Sequence, residues 1–339
     1  MKRCITNALV IGVVFGGILA AMVGTPVAAQ TPQVTDRQAI LFAEQAYQEA
    51  VAKGDKAAIE KLLDKDFEWA ANNTILTKAE TLKNVAALKS EKGGADFLSI
   101  ARLTQRYYSG QVGVLYRLDA DPRLTHIWVK RPEGWRAFLF FDLPMLAGPE
   151  PVPNPHPVNN DMEATTKCHN PCNYLPWDDK IAGRPVTAPE KEALASWQAQ
   201  KHTESIPNDQ AAINAWETRT ADDGFLLYNN TVTHYIIASR LWDLIRMWKG
   251  HITAPGGPFV ISMHVWAFGP DCVIYTALQH PSEHVTTSTS YAVRIWTKKR
   301  PPFNGIQNPN PLPWESDHIW QIALSEAVDV PNGTVPPKH

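Results

Sequence analysis

Apolar positions over residues 36–88 recur at helical spacing in three runs. Ile40, Leu41, Ala43, Ala46, Tyr47, Ala50 and Val51 predict one helix, with Thr35-Asp36 as its start signal. Gly54 closes it, and Asp55 opens a second helix that turns Ile59, Leu62 and Leu63 inward. After a short strand over 67–71 and a turn at Asn72-Asn73, Thr77 caps a third helix whose face is Leu82, Val85, Ala86 and Leu88. From Phe97 the period changes to two. Strands are predicted over 97–107, 111–118, 125–130 and 135–141, punctuated by Gly110, residues 119–122 and Pro132-Glu133-Gly134. Three helices with one early strand, followed by an antiparallel meander, make an α+β unit.

The same order returns from residue 187. Thr187 caps a helix carrying Leu194, Trp197 and Ala199, and Asn208-Asp209 caps one carrying Ile213 and Trp216. A short strand over 225–228 and a third helix over 236–249 precede strands over 259–268, 272–279, 287–297 and 318–323. A proline-bearing insertion, residues 299–316, separates the last two strands. A short pattern marks both copies: Gly54-Asp55-Lys56-Ala57-Ala58-Ile59 and Asn208-Asp209-Gln210-Ala211-Ala212-Ile213. A second echo pairs Asn72-Asn73-Thr74 with Asn229-Asn230-Thr231, so the offsets are 154 residues (Gly54 to Asn208) and 157 (Asn72 to Asn229). Two blocks at nearly one offset argue for duplication. The repeated Asp falls where a helix needs its free N–H groups capped, so the repeat is architectural rather than catalytic.

These patterns divide the chain into a targeting segment (1–29), a first unit (36–145), a proline-rich linker (146–187), a second unit (188–327) and a disordered tail (328–339). Lys2-Arg3, the apolar run from Ala8 to Val23 and the small residues Val27-Ala28-Ala29 make the first segment a cleavable signal peptide in expectation. The run is shorter than the about 20 residues of a spanning helix, so an uncleaved anchor is the lesser alternative. A periplasmic or secreted protein with no membrane attachment after cleavage follows. A net charge of −2 gives no basic excess to neutralise a nucleic-acid backbone, which disfavours that partner. In an oxidising compartment Cys168 and Cys172, bent together by Pro171, are expected to form a local disulfide, with a metal site that adds His169 as the alternative. Cys272, at the head of an apolar run, reads as a buried free thiol.

Helix-helix-strand-helix-meander with a Gly-Asp between the first helices resembles the nuclear-transport-factor-2-like superfamily, and most nearly its SnoaL-like exported bacterial branch. The residues that carry the likeness are Gln45-Ala46, Gly54-Asp55, Ala57-Ala58-Ile59, Phe67, Trp128-Val129-Lys130 and Gly134-Trp135-Arg136. In the second unit they are Gln198-Ala199, Asp209, Ala211-Ala212-Ile213, Ile295-Trp296-Thr297-Lys298 and Ile319-Trp320-Gln321. The resemblance implies two tandem cone-shaped units, each with three helices on a curved antiparallel sheet around a conical pocket, the units pairing sheet face to sheet face. Members bind small molecules, catalyse proton transfer or hydrolysis, or only assemble.

For chemistry, strand alternation puts Ser262, His264, Trp266 and Phe268 on one face, able to line a pocket or an interface between units, and Ile261, Met263, Val265 and Ala267 on a plain core face. Tyr228 and Asn230 resemble the Tyr-x-Asn of limonene-epoxide-hydrolase-like enzymes, but that family's carboxylates are missing: Ala137 and Gln321 stand where they are expected. Arg294 is a lone cationic candidate. Glu68 and Asp142 read as solvated or capping. His280 and His284 bracket a proline turn rather than a metal site. The ligand-binding candidates are therefore Tyr228, Asn230, His264, Trp266, Arg294 and His318, with no metal or cofactor. The leading reading is an exported binder of a small apolar or aromatic molecule, mainly in the tryptophan-rich second unit. The alternatives are a cofactor-independent enzyme (isomerase, dehydratase or hydrolase) or a structural, assembly role.

Overall fold

A computed structural model of the chain describes residues 35–71, 74–85, 103–117, 123–143, 185–204, 214, 218–228, 259–280, 289–299, 311–315 and 317–335. The signal segment, Cys168 and Cys172, Asn230, and the second and third helices expected in the second unit lie outside them. Helix α1 (Asp36–Lys53) begins at a capping box: Gln38 N–H donates to Thr35 Oγ1, and Thr35 N–H to Gln38 Oε1. It ends on Gly54 in the left-handed conformation, φ 70°. Asp55 accepts from Ala58 N–H and opens α2 (Lys56–Leu62). Strands β1 (Leu63–Ala71) and β2 (Thr74–Thr77) lead into α3 (Lys78–Lys83), which Thr77 and Glu80 cap reciprocally. Strands β3 (Thr104–Tyr108), β4 (Val112–Arg117), β5 (Arg123–Arg131) and β6 (Gly134–Leu143) complete the first part. Then come α4 (Ala188–Glu204), β7 (Thr220–Tyr228), β8 (Phe259–Ala267), β9 (Cys272–His280), β10 (Thr289–Lys299) and β11 (Ile319–Val330).

The architecture is α+β, with few helices on two sheets. One sheet is ordered β2-β1-β6-β5-β4-β3, the other β7-β11-β10-β9-β8. Leaving out the edge strand β2, the order is the same, and in each the first long strand pairs parallel with the last. The irregularities repeat as well. Between Ile127 and Trp128 the β5–β6 register slips past Phe138, and between Ile295 and Trp296 the β10–β11 register slips past Ala323. The parallel pairs break alike: Leu63↔Ala137 resumes at Glu68↔Leu139, and Thr220↔Ile322 at Phe225↔Leu324. A bulge re-aims side chains locally. Its recurrence at the same place fixes a residue-by-residue correspondence between the two sheets.

Three cores result. Tyr47, Ile59, Phe67, Trp128 and Phe140 lie between the first sheet and its helices. Trp197, Tyr275, Trp296, Trp320 and Met263 lie between α4 and the second sheet. The other faces of the sheets pack on one another through Val114, Ile127, Phe138 and Phe141 against Ile274, Tyr291, Val293 and Leu324. Phe141 stacks on Tyr291 with centroids 5.7 Å apart, and Phe138 meets Trp266 and Phe268 edge-on. Strand β11 runs to Val330, past the expected unit boundary at 327, because Val328 and Val330 belong to this inter-sheet core. Cys272 is a buried free thiol.

Candidate functional site

On the helix side of the first sheet, strand alternation from Leu124 to Trp128 leaves His126 pointing into the core beneath α1. The side chain is sealed (0% exposed), and both ring nitrogens meet carboxylates. Nδ1 lies 2.9 Å from Glu44 Oε2, and Nε2 lies 2.9 Å from Asp142 Oδ1. Glu44 also accepts from Trp128 Nε1 (3.0 Å) and Gln48 Nε2 (2.9 Å), and Asp142 accepts from Trp69 Nε1 (3.0 Å). The Phe140 ring stacks on the imidazole at 3.6 Å. Burial alone would strip the proton from His126, but the two carboxylates outweigh it and hold the pKa up to about 9. The ring is therefore an imidazolium at neutral pH, and both its N–H groups donate. Chemically this is a saturated ion cluster. Its hydrogens are committed within the protein and one ring face is covered, so it fits a fixed internal charge better than an acid or base in turnover.

The correspondence set by the bulges places Arg294 at the His126 position and Trp296 at that of Trp128. Tyr275, opposite Arg294, stands for Leu115, opposite His126. Ser325 stands for Phe140 and Ala327 for Asp142. On the helix, the shared Gln-Ala pair sets Trp197 against Glu44. The chemistry changes accordingly. The Arg294 guanidinium, 8% exposed, lies over the rings of Trp197 (4.9 Å) and Tyr275 (5.5 Å), and its Nη1 reaches Gln279 Oε1 at 3.5 Å. Burial pushes the Tyr275 hydroxyl up against the opposing pull of Arg294, so the phenol keeps its proton. Trp296 Nε1 is buried and finds no hydrogen-bond partner among the described residues, whereas the buried Tyr275 hydroxyl has the Arg294 guanidinium beside it. This helix side therefore offers a cation, an indole N–H and a phenol inside an aromatic frame.

A second matched feature lies where each helix begins. Asp36 accepts from Lys130 Nζ (2.7 Å) and Tyr107, while Glu192 meets Lys298 Nζ (3.2 Å), Trp320 Nε1 (3.0 Å) and His318 Nε2 (3.3 Å). Lys130 pairs with Trp135, as Lys298 pairs with Trp320. Burial works to raise Glu192, but the Trp320 and Lys298 hydrogen bonds hold it below the usual range. His318 thus sits in a helix-to-sheet clamp, apart from the Arg294 group.

Of the remaining sequence candidates, Trp266 packs into the inter-sheet core and His264, half-buried, stacks on it at 5.6 Å. Met263, Val265 and Ala267 take the α4 side as expected, whereas a bulge after Val260 leaves Ile261 42% exposed. Tyr228 ends β7, its backbone paired with Ala327. Two readings are corrected. Glu68 (1% exposed) and Asp142 (5%) are neither solvated nor capping but buried, the latter because His126 and Trp69 compensate its charge. Glu44 and His126 carried no signal beyond alternation: a glutamate in an apolar helix stripe and a histidine between Leu124 and Trp128. Among the described residues, no group of three or more His, Cys, Asp or Glu side chains is placed to hold a metal ion, and no helix is long and apolar enough to cross a membrane.

No protein-family model matches the chain, and no curated protein does. Among solved structures the chain is similar to an NTF2-like protein from Cytophaga hutchinsonii (17% identity, 33% of this chain and 99% of that one, TM-score 0.25). It is also similar to an NTF2-like protein with a cystatin-like fold from Novosphingobium aromaticivorans (18%, 33% and 84%, TM-score 0.23). A third is an NTF2-like protein of unknown function in nutrient uptake from Rhodospirillum rubrum (12%, 40% and 97%, TM-score 0.26).

Proposed function

We propose that this chain is an exported protein of two tandem nuclear-transport-factor-2-like units, paired through their sheets, and that the second unit binds a small molecule between α4 and its sheet. One contrast carries the reading. At matching positions the first unit bonds His126 and the Trp128 indole to carboxylates, while the second holds Arg294 over the Trp197 and Tyr275 rings beside a buried Trp296 N–H that finds no partner among the described residues. Leaving a buried polar group unsatisfied costs about 1–3 kcal/mol, a cost that a ligand bearing acceptors would remove. The first unit is then the rigid companion, and its sheet supplies half of the inter-sheet core. The repeated strand order and register breaks support the tandem arrangement. Lys2-Arg3 and the apolar run after them support export.

The test is a thermal-shift screen of small apolar and aromatic compounds, with and without acidic groups, on wild type and Trp296→Phe. Hits should raise the wild-type midpoint in a concentration-dependent way and lose part of that shift without the indole N–H. A screen in which no compound stabilises the chain would sink the reading in favour of a scaffold.

A further inference from the structure

Among the described residues, no backbone hydrogen bond joins the two sheets. Side chains alone make the joint, and each sheet keeps a separate core on its helix side. The joint can therefore part without breaking a strand ladder or either helix-side core. Its two ends are built differently. At one end the turns meet: Arg131 lies over the Phe268 ring at 5.2 Å, Gln111 closes on Gly269, and Ser109 sits beside Cys272. Toward the other end, about 20 Å along β5, three buried polar groups enter the apolar packing. Glu326 of β11, 3% exposed, stands between Leu324 and Val328 of the joint, where the matching position of the first sheet holds Phe141. The Thr125 hydroxyl of β5 faces its carboxyl without a well-formed hydrogen bond, and Tyr291 is its diagonal neighbour on β10. Glu326 Oε2 and the Thr125 and Tyr291 hydroxyls all find no partner among the described residues.

We propose that Glu326 is a proton-operated latch on this end of the joint. As the neutral acid it packs between the sheets; as the carboxylate it demands hydration, and the sheets part there while the turns hold the far end. The surroundings offer the anion little. His126 of β5 and Asp142 of β6 act on it with opposite signs, and His126 is already committed to Glu44 and Asp142. Arg123 and Glu68 share the joint face of the first sheet and are engaged with other groups. The cross-strand partner of Glu326 on β10 is Val293. A buried carboxylate with no counter-charge is costly, and opening gives water to it and to both hydroxyls at once. Burial holds the proton on Glu326 up to about 8, whereas an exposed carboxyl releases it near 4.5. The open form thus binds fewer protons between those values. Its population relative to the closed form rises about tenfold per pH unit across the window and levels off above it.

The test is thiol labelling of the full chain with methyl methanethiosulfonate from pH 5.5 to 9, read site by site by mass spectrometry. Val328→Cys reports on the latch end of the joint, and Ala277→Cys on the core beneath α4; both positions are 2% exposed. Each rate is divided by that of the urea-unfolded chain at the same pH, which cancels the ionisation of the thiol. At pH 8 the label at position 328 should enter at least about tenfold faster than that at 277, as local opening requires. Adding Glu326→Gln should slow labelling at 328. The ratio of the two rates should climb about tenfold per pH unit up to about 7.5 and flatten above about 8. Val293→Cys, beside Glu326 on β10, takes over if Val328→Cys does not fold. Equal rates at 328 and 277 would mean that only global unfolding exposes the joint. A ratio at 328 that stays flat with pH would mean that Glu326 does not operate it. Either result overturns the proposal.

Discussion

His126 and Arg294 occupy the same register position in the two sheets: each lies two residues before a tryptophan that flanks the bulge, and each is buried on the helix side. Both are buried cations set in different surroundings. His126 is neutralised by two carboxylates, whereas Arg294 lies against the π faces of Trp197 and Tyr275. One backbone frame thus hosts a closed ion cluster and an aromatic-framed guanidinium, the difference resting on a handful of side chains on α1 and α4 and on β6 and β11.

The His126 cluster should make stability fall at alkaline pH. Its folded pKa, held up to about 9 by Glu44 and Asp142 against burial, lies above the ordinary 6.5. The folded state therefore holds a proton that the unfolded chain has lost, and stability drops as pH rises between those values. The contribution is whole below about 6.5 and gone once pH has passed through about 9, a few kcal/mol in all. Urea denaturation from pH 6 to 10 reads it. His126→Leu should lose the part of this slope above about pH 8, where Glu326 no longer contributes, and because it strands two buried carboxylates it should cost about 3–5 kcal/mol at pH 7. A variant that keeps the wild-type slope would remove His126 as its source.

Glu326 should add to the same fall from the other face of the joint. It alternates with Leu324 and Val328 of the inter-sheet core, and its Oε2 finds no partner among the described residues. Burial pushes its carboxyl up to about 8 from 4.5, Asp142 adding to the effect while Thr125 and His126 oppose it. A raised acid pKa means that the folded state binds more protons between about 4.5 and about 8, so stability declines across that window and levels off above it. Glu326→Gln keeps the shape and loses the charge. Its advantage over wild type should be near zero at pH 4.5, grow to a few kcal/mol by pH 8 and then stay constant. An advantage independent of pH would show that the carboxyl does not titrate in the joint.

The described helices and most of the described strands were legible because their signals are local: Thr35, Asp55 and Thr77 sit where helices start, and apolar period and turn residues mark the strands. The end of β11 was not, because Glu326 and Asp329 interrupt its apolar pattern and Glu326 is nonetheless buried. The charged cluster was hidden for a related reason. Glu44 lies 82 residues from His126, and each of the three reads alone as an ordinary surface or core group. Asp142 looked solvated because nothing nearby in sequence could compensate it. Only the sheet brings His126 across to it. Arg294 was visible as a lone cation on a strand, but its equivalence to His126 depends on where the bulges fall, which no residue type announces.

Gly113 should tolerate no side chain. It lies in β4 opposite Trp128, and a Cβ there would run into the Ile40 side chain, which packs down from α1. Ile40 is itself buried (2% exposed), so α1 or its packing must shift to make room. Gly113→Ala should cost about 1–3 kcal/mol, measured as a lower urea midpoint with an unchanged slope. Pairing it with Ile40→Val should recover part of the loss, and no recovery would mean that the clash lies elsewhere.

Arg219 and Glu315 should prove strongly coupled. Both are buried, and Arg219 Nη2 reaches the two Glu315 oxygens at 3.0 and 2.9 Å while its Nε donates to the Ser196 carbonyl. Ser196 Oγ and Leu312 N–H also donate to Glu315, so one carboxylate ties the end of the insertion to α4 and to the start of β7. Burial works to lower the Arg219 pKa, with Glu315 opposing it, which marks a charge that depends on its partner. Glu315→Leu or Arg219→Met alone strands one buried charge and should cost about 3–5 kcal/mol, while the double variant should cost less than the sum of the two and less than either if the apolar pair packs. A double-mutant cycle in urea measures the coupling. Additive single effects would show that the two groups stabilise the insertion separately, through Ser196 and Leu312 rather than through each other.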